Sequence, residues 1–124
     1  MPRIYDPDEG FISTANEDIR TAGGPILVTH PVPDYRKRRI DERLRDIAQL
    51  TLQDMQDLQY DMVSLQARDL LGVFLPHLED GPLKQRLSKW DCSYTPDSKD
   101  AALFQRFYRN VMIEVFGHEK GIGW

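Results

Sequence analysis

Apolar residues change their spacing along this chain at Tyr35. Before it they come in short β-branched runs, Gly10-Phe11-Ile12-Ser13-Thr14-Ala15 and Pro25-Ile26-Leu27-Val28-Thr29, interrupted by proline and glycine. Two strands joined through the Thr21-Ala22-Gly23-Gly24 turn region are predicted there. A two-stranded hairpin alone is marginal in water, so these strands must join a larger sheet or lean on helices.

From Tyr35 the pattern is helical. Tyr35, Ile40, Leu44, Ile47 and Ala48 fall on one face of a helix over residues 34–49, with Arg36, Arg38, Arg39, Asp41, Glu42 and Arg43 filling most of the rest. Thr51-Leu52-Gln53-Asp54 reads as a capping box with Asp in place of the usual Glu or Gln. It opens a run whose buried side is predicted at Met55, Leu58, Met62, Leu65, Leu70, Leu71, Phe74, Leu75 and Leu78. That run is long for one helix, so a break is expected near Gln59 to Asp61, and Pro76 should bend or end the second half. Gly81-Pro82 starts a short helix with Leu83 and Leu87 inward. After a polar loop from Cys92 to Ser98, a last helix with a wide apolar arc runs to Gly117. The expected fold class is mainly α: a short N-terminal β-hairpin or strand pair followed by four to five helices.

Length and charge narrow this picture. At 124 residues one compact unit is expected, with a strand and loop segment at 1–33 and a helical region at 34–124. The formal net charge of -4 and a pI near 5.3 argue against nucleic acid as a partner. The N-terminal residues lack the apolar core of a signal peptide, and no apolar run approaches the roughly 20 residues of a membrane span, so no membrane partner is predicted. The ends, a Pro/Asp-rich start and Gly117 to Trp124, look like those of a piece cut from a longer protein.

Candidate chemistry is sparse. His30, His77 and His118 have no metal-ligand spacing, and Cys92, the sole cysteine, has no adjacent histidine, so no metal site is predicted. The glycine pairs read as turns, not phosphate loops. Lys37 and Arg38 read as a solvated helix face balanced by nearby acids. Arg36 differs: at a helix start a cation opposes the backbone dipole, which points to a separate partner. Asn16, taken alone, is ordinary turn chemistry after a strand.

The ordered set Phe11-Ile12-Ser13-Thr14-Ala15-Asn16-Glu17, Tyr35-Arg36 with Arg39-Ile40, Thr51-Leu52-Gln53-Asp54-Met55, Leu58-Gln59-Tyr60-Asp61, Ser64-Leu65-Gln66-Ala67 and Leu87-Ser88-Lys89-Trp90-Asp91 resembles the penicillin acylase (penicillin amidase) family. The similarity runs from about Gly10 to Phe107. It implies an N-terminal nucleophile amidohydrolase with an αββα core, of which this chain is a fragment from the β-chain region. In such enzymes autoproteolysis exposes a serine whose hydroxyl attacks an amide carbonyl while its own α-amine acts as base. A backbone N–H and an asparagine amide hold the oxyanion. The resemblance places that asparagine at Asn16, in Thr14-Ala15-Asn16, and an arginine that orients it at Arg36. A second asparagine often follows in the family, where this chain has Glu17.

None of Ser13, Ser64, Ser88, Ser93 and Ser98 follows a glycine, as the family's processing site would require. The nucleophile and most of the αββα sheet are therefore expected outside this chain, which is expected to be inactive alone. The parent's partners would be a small amide substrate and the remainder of its own polypeptide. Calcium, found in some relatives, is an option for the full-length protein only, with no cofactor expected in this chain. A bacterial periplasmic or extracellular address is what the family implies. The alternative from another class is a free-standing helical interaction module whose exposed apolar faces bind a partner or form an oligomer. A tautomerase using Pro2 has only that proline behind it.

Overall fold

The computed structural model describes residues 3–19, 32–45 and 47–117. Five α-helices occur among them: α1 (Tyr35–Arg45), α2 (Leu52–Gln59), α3 (Leu65–Phe74), α4 (Pro82–Leu87) and α5 (Lys99–Phe116), with a 3-10 turn at Leu75–His77 after α3. The mainly α expectation is met. The chain divides into two compact units, Met1–Leu65 and Gln66–Trp124.

The predicted β-hairpin is not supported. Among the described residues no strand runs beyond a single bridge position, and the second predicted strand, 25–29, lies outside them. The first is nonetheless recognisable as extended chain. From Phe11 to Glu17, odd-numbered side chains are buried or half-buried and even-numbered ones exposed, the period-2 signature of a strand. Among the described residues it has no ladder partner. Its polar groups turn to side chains instead: Ser13 Oγ donates to Asp41 of α1, and the Ala15 N–H donates to Glu17 Oε2 at 2.6 Å.

In the first unit, α1 is shorter than the predicted 34–49. Leu44 is its only buried residue, and Ala48, beyond the helix, is exposed, so its apolar face gives no reason to continue. The Ile47 N–H bonds back to the Leu44 carbonyl at 3.1 Å as a single turn. The predicted capping box then starts α2: the Asp54 N–H donates to Thr51 Oγ1 at 3.2 Å and the Thr51 N–H to Asp54 Oδ2 at 2.8 Å. Helix α2 ends at Gln59, where the break was predicted. Met55 and Met62, predicted inward, are instead exposed: α2 has no buried residue at all, and Met62 falls in the break after it.

The residue that fastens this break to α1 is Asp61. Its carboxylate takes Arg39 Nε at 3.0 Å and Nη2 at 2.6 Å, a two-point fork, and the Val63 N–H at 3.0 Å. Burial opposes ionisation of Asp61, but the Arg39 guanidinium and the Val63 N–H outweigh it and hold the carboxyl below its ordinary value. Both side chains are mostly buried, at 18% and 10% exposure. Asp61→Asn should therefore destabilise the fold by about 2–3 kcal/mol, since it leaves Arg39 short of a charge partner. Because the folded-state value is depressed, this stability is complete above the ordinary carboxylate range and is lost as pH falls through the folded value. Urea melts of parent and variant from neutral to acid pH check both points: the gap should close in acid, and a gap that is constant with pH would contradict the assignment.

In the second unit, Pro76 ends α3 as a 3-10 turn, as predicted. Helices α4 and α5 pack together, and Arg86 of α4 pairs with Asp100 at the start of α5. Leu87 is 1% exposed, but Leu83, also predicted inward, is at the surface because the six-residue α4 buries only its last turn. Ser98 caps α5 by accepting the Ala101 N–H at 3.1 Å. The core is aromatic. Phe104, 2% exposed, lies 5.4 Å from the Trp90 ring and 6.0 Å from Tyr108, while Phe74 meets Phe107 edge-on at 5.4 Å. Toward its C-terminus α5 exposes Ile113, Val115 and Phe116.

Candidate active site

The chemistry-bearing residues of the first unit gather where the extended segment 11–17 runs alongside α1. Three links fix its direction: Ser13 to Asp41, the charge of Lys37 acting on Glu17, and the Val32 N–H donating to the Asn16 carbonyl at 3.0 Å. Higher numbers on the segment thus meet lower numbers on α1. This antiparallel arrangement brings Asn16 toward the N-terminal end of α1, where Arg36 is the second helical residue.

Asn16 is exposed and its backbone is left-handed, φ 67°. Asparagine is among the few non-glycine residues enriched in that region. The residues on either side, Ala15 and Glu17, are buried, so the Asn16 side chain leaves the segment on the opposite side from both. Its carbonyl oxygen is used by Val32, and its side-chain amide stands in the exposed position.

Arg36 is also exposed, and no helix acid lies in the first turn of α1 to pair with it. Among the described residues no hydrogen bond or ion pair joins Arg36 to Asn16. The other members of the basic cluster are engaged: Lys37 Nζ binds Asp41 Oδ2 at 2.6 Å, Arg39 binds Asp61 and Glu42, and Arg38 lies 5.9 Å from the Tyr35 ring centre. The sequence set Arg36 apart as a cation with a separate partner, and among the described residues no hydrogen bond or ion pair supplies one.

Glu17 and Asp41 were not singled out as site residues by sequence. Glu17 is a carboxylate at 8% exposure, taking the Ala15 N–H at 2.6 Å with Thr14 Oγ1 at 3.5 Å. The Ala15 N–H holds its carboxyl below the ordinary value against the cost of burial, with help from its own N–H and from Lys37. The signal was present: in the alternation Phe11, Ser13, Ala15, Glu17, the glutamate falls on the inward face. Asp41 is half-buried. Burial opposes its charge, but Lys37 and the Ser13 hydroxyl hold it low as well, which makes it too weak a base to activate Ser13. A cleft of about 220 Å³ lies beside this pair, lined by Ile4, Phe11, Ser13, Lys37, Asp41 and Arg45 among others; neither Asn16 nor Arg36 lines it.

Cys92 is buried, and burial pushes its thiol up despite the opposing charge of Arg68, so little thiolate forms at neutral pH. His77 is exposed, while His30 and His118 lie outside the described residues. No group of acidic, histidine or cysteine side chains among the described residues could hold a metal ion. No helix among them is long and apolar enough to cross a membrane.

The sequence pattern that describes the penicillin amidase family matches residues 1–122. The chain belongs to the penicillin amidase family. It is 35% identical over 118 residues to the penicillin acylase 2 proenzyme of Pseudomonas sp. (strain SE83), an alignment that takes in 88% of this chain and 15% of that protein. The chain thus spans about a seventh of the length of that penicillin amidase relative. No solved structure matches it.

Proposed function

We propose that this chain supplies the asparagine half of the oxyanion hole to an amidohydrolase of the penicillin amidase family, which cleaves a linear amide by acyl transfer to an N-terminal serine outside these residues. The observation that carries the reading is Asn16: an exposed amide on a left-handed backbone whose carbonyl is anchored and whose two neighbours are buried. Catalysis by such a donor requires that it be held where negative charge develops, at no cost in reorganisation. The anchoring on both sides of Asn16 is suited to that.

In the proposed cycle the serine hydroxyl attacks the substrate carbonyl, and the carbonyl oxygen takes up negative charge as the tetrahedral adduct forms. The Asn16 NH₂ donates to that oxygen. Arg36 orients Asn16 by donating to its side-chain carbonyl oxygen, a contact that would close when the rest of the enzyme and a substrate are in place. Collapse of the adduct breaks the C–N bond, the leaving amine taking the proton that the serine hydroxyl passed to its own α-amine, and leaves an acyl-serine, which water hydrolyses through a second oxyanion at the same donor.

Two experiments test this. The isolated chain is inert on this reading, and turnover of a chromogenic phenylacetyl amide by the purified 124 residues would overturn it. In the full-length enzyme, Arg36→Lys keeps the charge and removes the planar fork. Loss of an aimed charged hydrogen bond of about 1.5–3 kcal/mol should lower kcat roughly ten- to a hundredfold with the fold intact. Unchanged kcat would remove Arg36 from the site.

A further inference from the structure

We propose that Glu17 is the positioning residue for Asn16: its carboxylate clamps the loop that carries the donor amide. The proposal rests on the oxyanion reading of Asn16 and adds to it a residue that stands where relatives often carry a second asparagine.

A carboxylate this deeply buried is costly unless its oxygens are used. Here Glu17 Oε2 receives the Ala15 N–H at 2.6 Å, and Thr14 Oγ1 lies at 3.5 Å. That bond runs from the residue after Asn16 to the residue before it, so it closes a small ring with Asn16 at its apex. The apex residue has φ 67°, a conformation that a side-chain-bearing residue keeps where its surroundings hold it. The ring does so, and its handedness sends the Asn16 side chain outward while Ala15 and Glu17 turn in. The Val32 N–H on the Asn16 carbonyl is a second fixing point. The charges facing Glu17 are consistent with this: Lys37 acts on it from α1 but gives its own hydrogen bond to Asp41, so Glu17 is free to serve the Ala15 N–H. A glutamate that only filled space would not need a main-chain donor two residues back, across the left-handed residue whose side chain faces out.

The test is a double-mutant cycle in the full-length enzyme, with kcat and KM measured for Glu17→Ala, Glu17→Asp and Glu17→Gln in the parent and in the Asn16→Ala background. In the parent, Glu17→Ala and the shorter Glu17→Asp should lower kcat roughly ten- to a hundredfold, the scale of an ångström-level displacement of a catalytic group, with KM little changed. Glu17→Gln keeps an acceptor of the same reach and should restore most of the rate. With Asn16 already removed, none of the three should lower kcat by more than about twofold further. Two results overturn the proposal while leaving the donor reading intact: normal kcat in Glu17→Ala and Glu17→Asp while Asn16→Ala is impaired, or equal losses in both backgrounds, which would mark a general stability effect. Undiminished kcat in Asn16→Ala itself overturns both. Should Glu17→Ala fail to fold, the Asp and Gln variants carry the same comparison.

Discussion

Replacing Asn16 by Ala in the full-length enzyme should lower kcat about a hundred- to a thousandfold and leave KM nearly unchanged. Removal of one side-chain donor from an oxyanion hole costs about 3–4 kcal/mol of transition-state stabilisation, and the ground-state carbonyl gains little from the same donor. The backbone complicates the experiment in a useful way. Because Asn16 has φ 67°, alanine loses the donor and is also disfavoured in that conformation. Asn16→Gly separates the two effects, since glycine adopts this conformation freely and has no side chain. Asn16→Asp keeps the shape and the tolerance for the left-handed region but presents oxygen, and a like charge, to the developing oxyanion. All three should be slow, with Asp at least as slow as Gly. A Gly variant with full activity would show that the amide does no chemistry.

The largest effect on stability is expected at Phe104. Its ring, 2% exposed, lies against Trp90 and Tyr108 in the core of the second unit, so Phe104→Ala removes a buried aromatic where the neighbours are held from two other directions. Trp90 is tied through Nε1 to the Ser93 carbonyl at 3.3 Å and meets Tyr94 at 5.5 Å, and Tyr94 reaches back to Gln105 of α5. The site cannot collapse easily, which puts the loss in the 3–5 kcal/mol range of aromatic-to-alanine changes. Thermal melts should show a midpoint lower by roughly 10–20 °C, with the near-ultraviolet dichroism of Trp90 weakened before the helical signal. Val115→Ala, on the exposed part of the same helix, should stay within about 0.5 kcal/mol of the parent. Similar losses at both positions would contradict the core described above.

The two halves of the chain were not equally legible in sequence. Helix positions follow from features carried by the residues themselves: the Thr51–Asp54 box, the apolar period through Leu71 and Phe74, Pro76 after α3 and Ser98 before α5. These are local signals and need no partner to be read. The errors have a common origin in context. Period alone placed Met55 and Leu83 inward, but a short helix buries only the part of its face that something covers, and Met62, also placed inward, falls in the break between α2 and α3. The segment 11–17 has strand periodicity without a strand, because a ladder requires a second backbone and periodicity says nothing about where that backbone is. At the site, sequence marked Asn16 and Arg36 through the family motif, and treated Glu17 as a departure from it. Read as an inward-facing position of an alternating segment, Glu17 is instead a buried charge that must find a donor, and the nearest is the main chain around Asn16.

The single thiol of the sequence lies at 5% exposure in the loop between α4 and α5, on a left-handed residue next to Trp90. No other cysteine competes with it for an alkylating or disulfide reagent. The rate at which such a reagent modifies Cys92, divided by its rate with a free thiol, therefore gives the fraction of time that loop stands open where reclosing outpaces the reagent. The first unit, which contains no cysteine, is silent in this assay. The chain carries its own local gauge of the aromatic core, one that can be read in the whole enzyme wherever no other thiol is accessible, without adding a label.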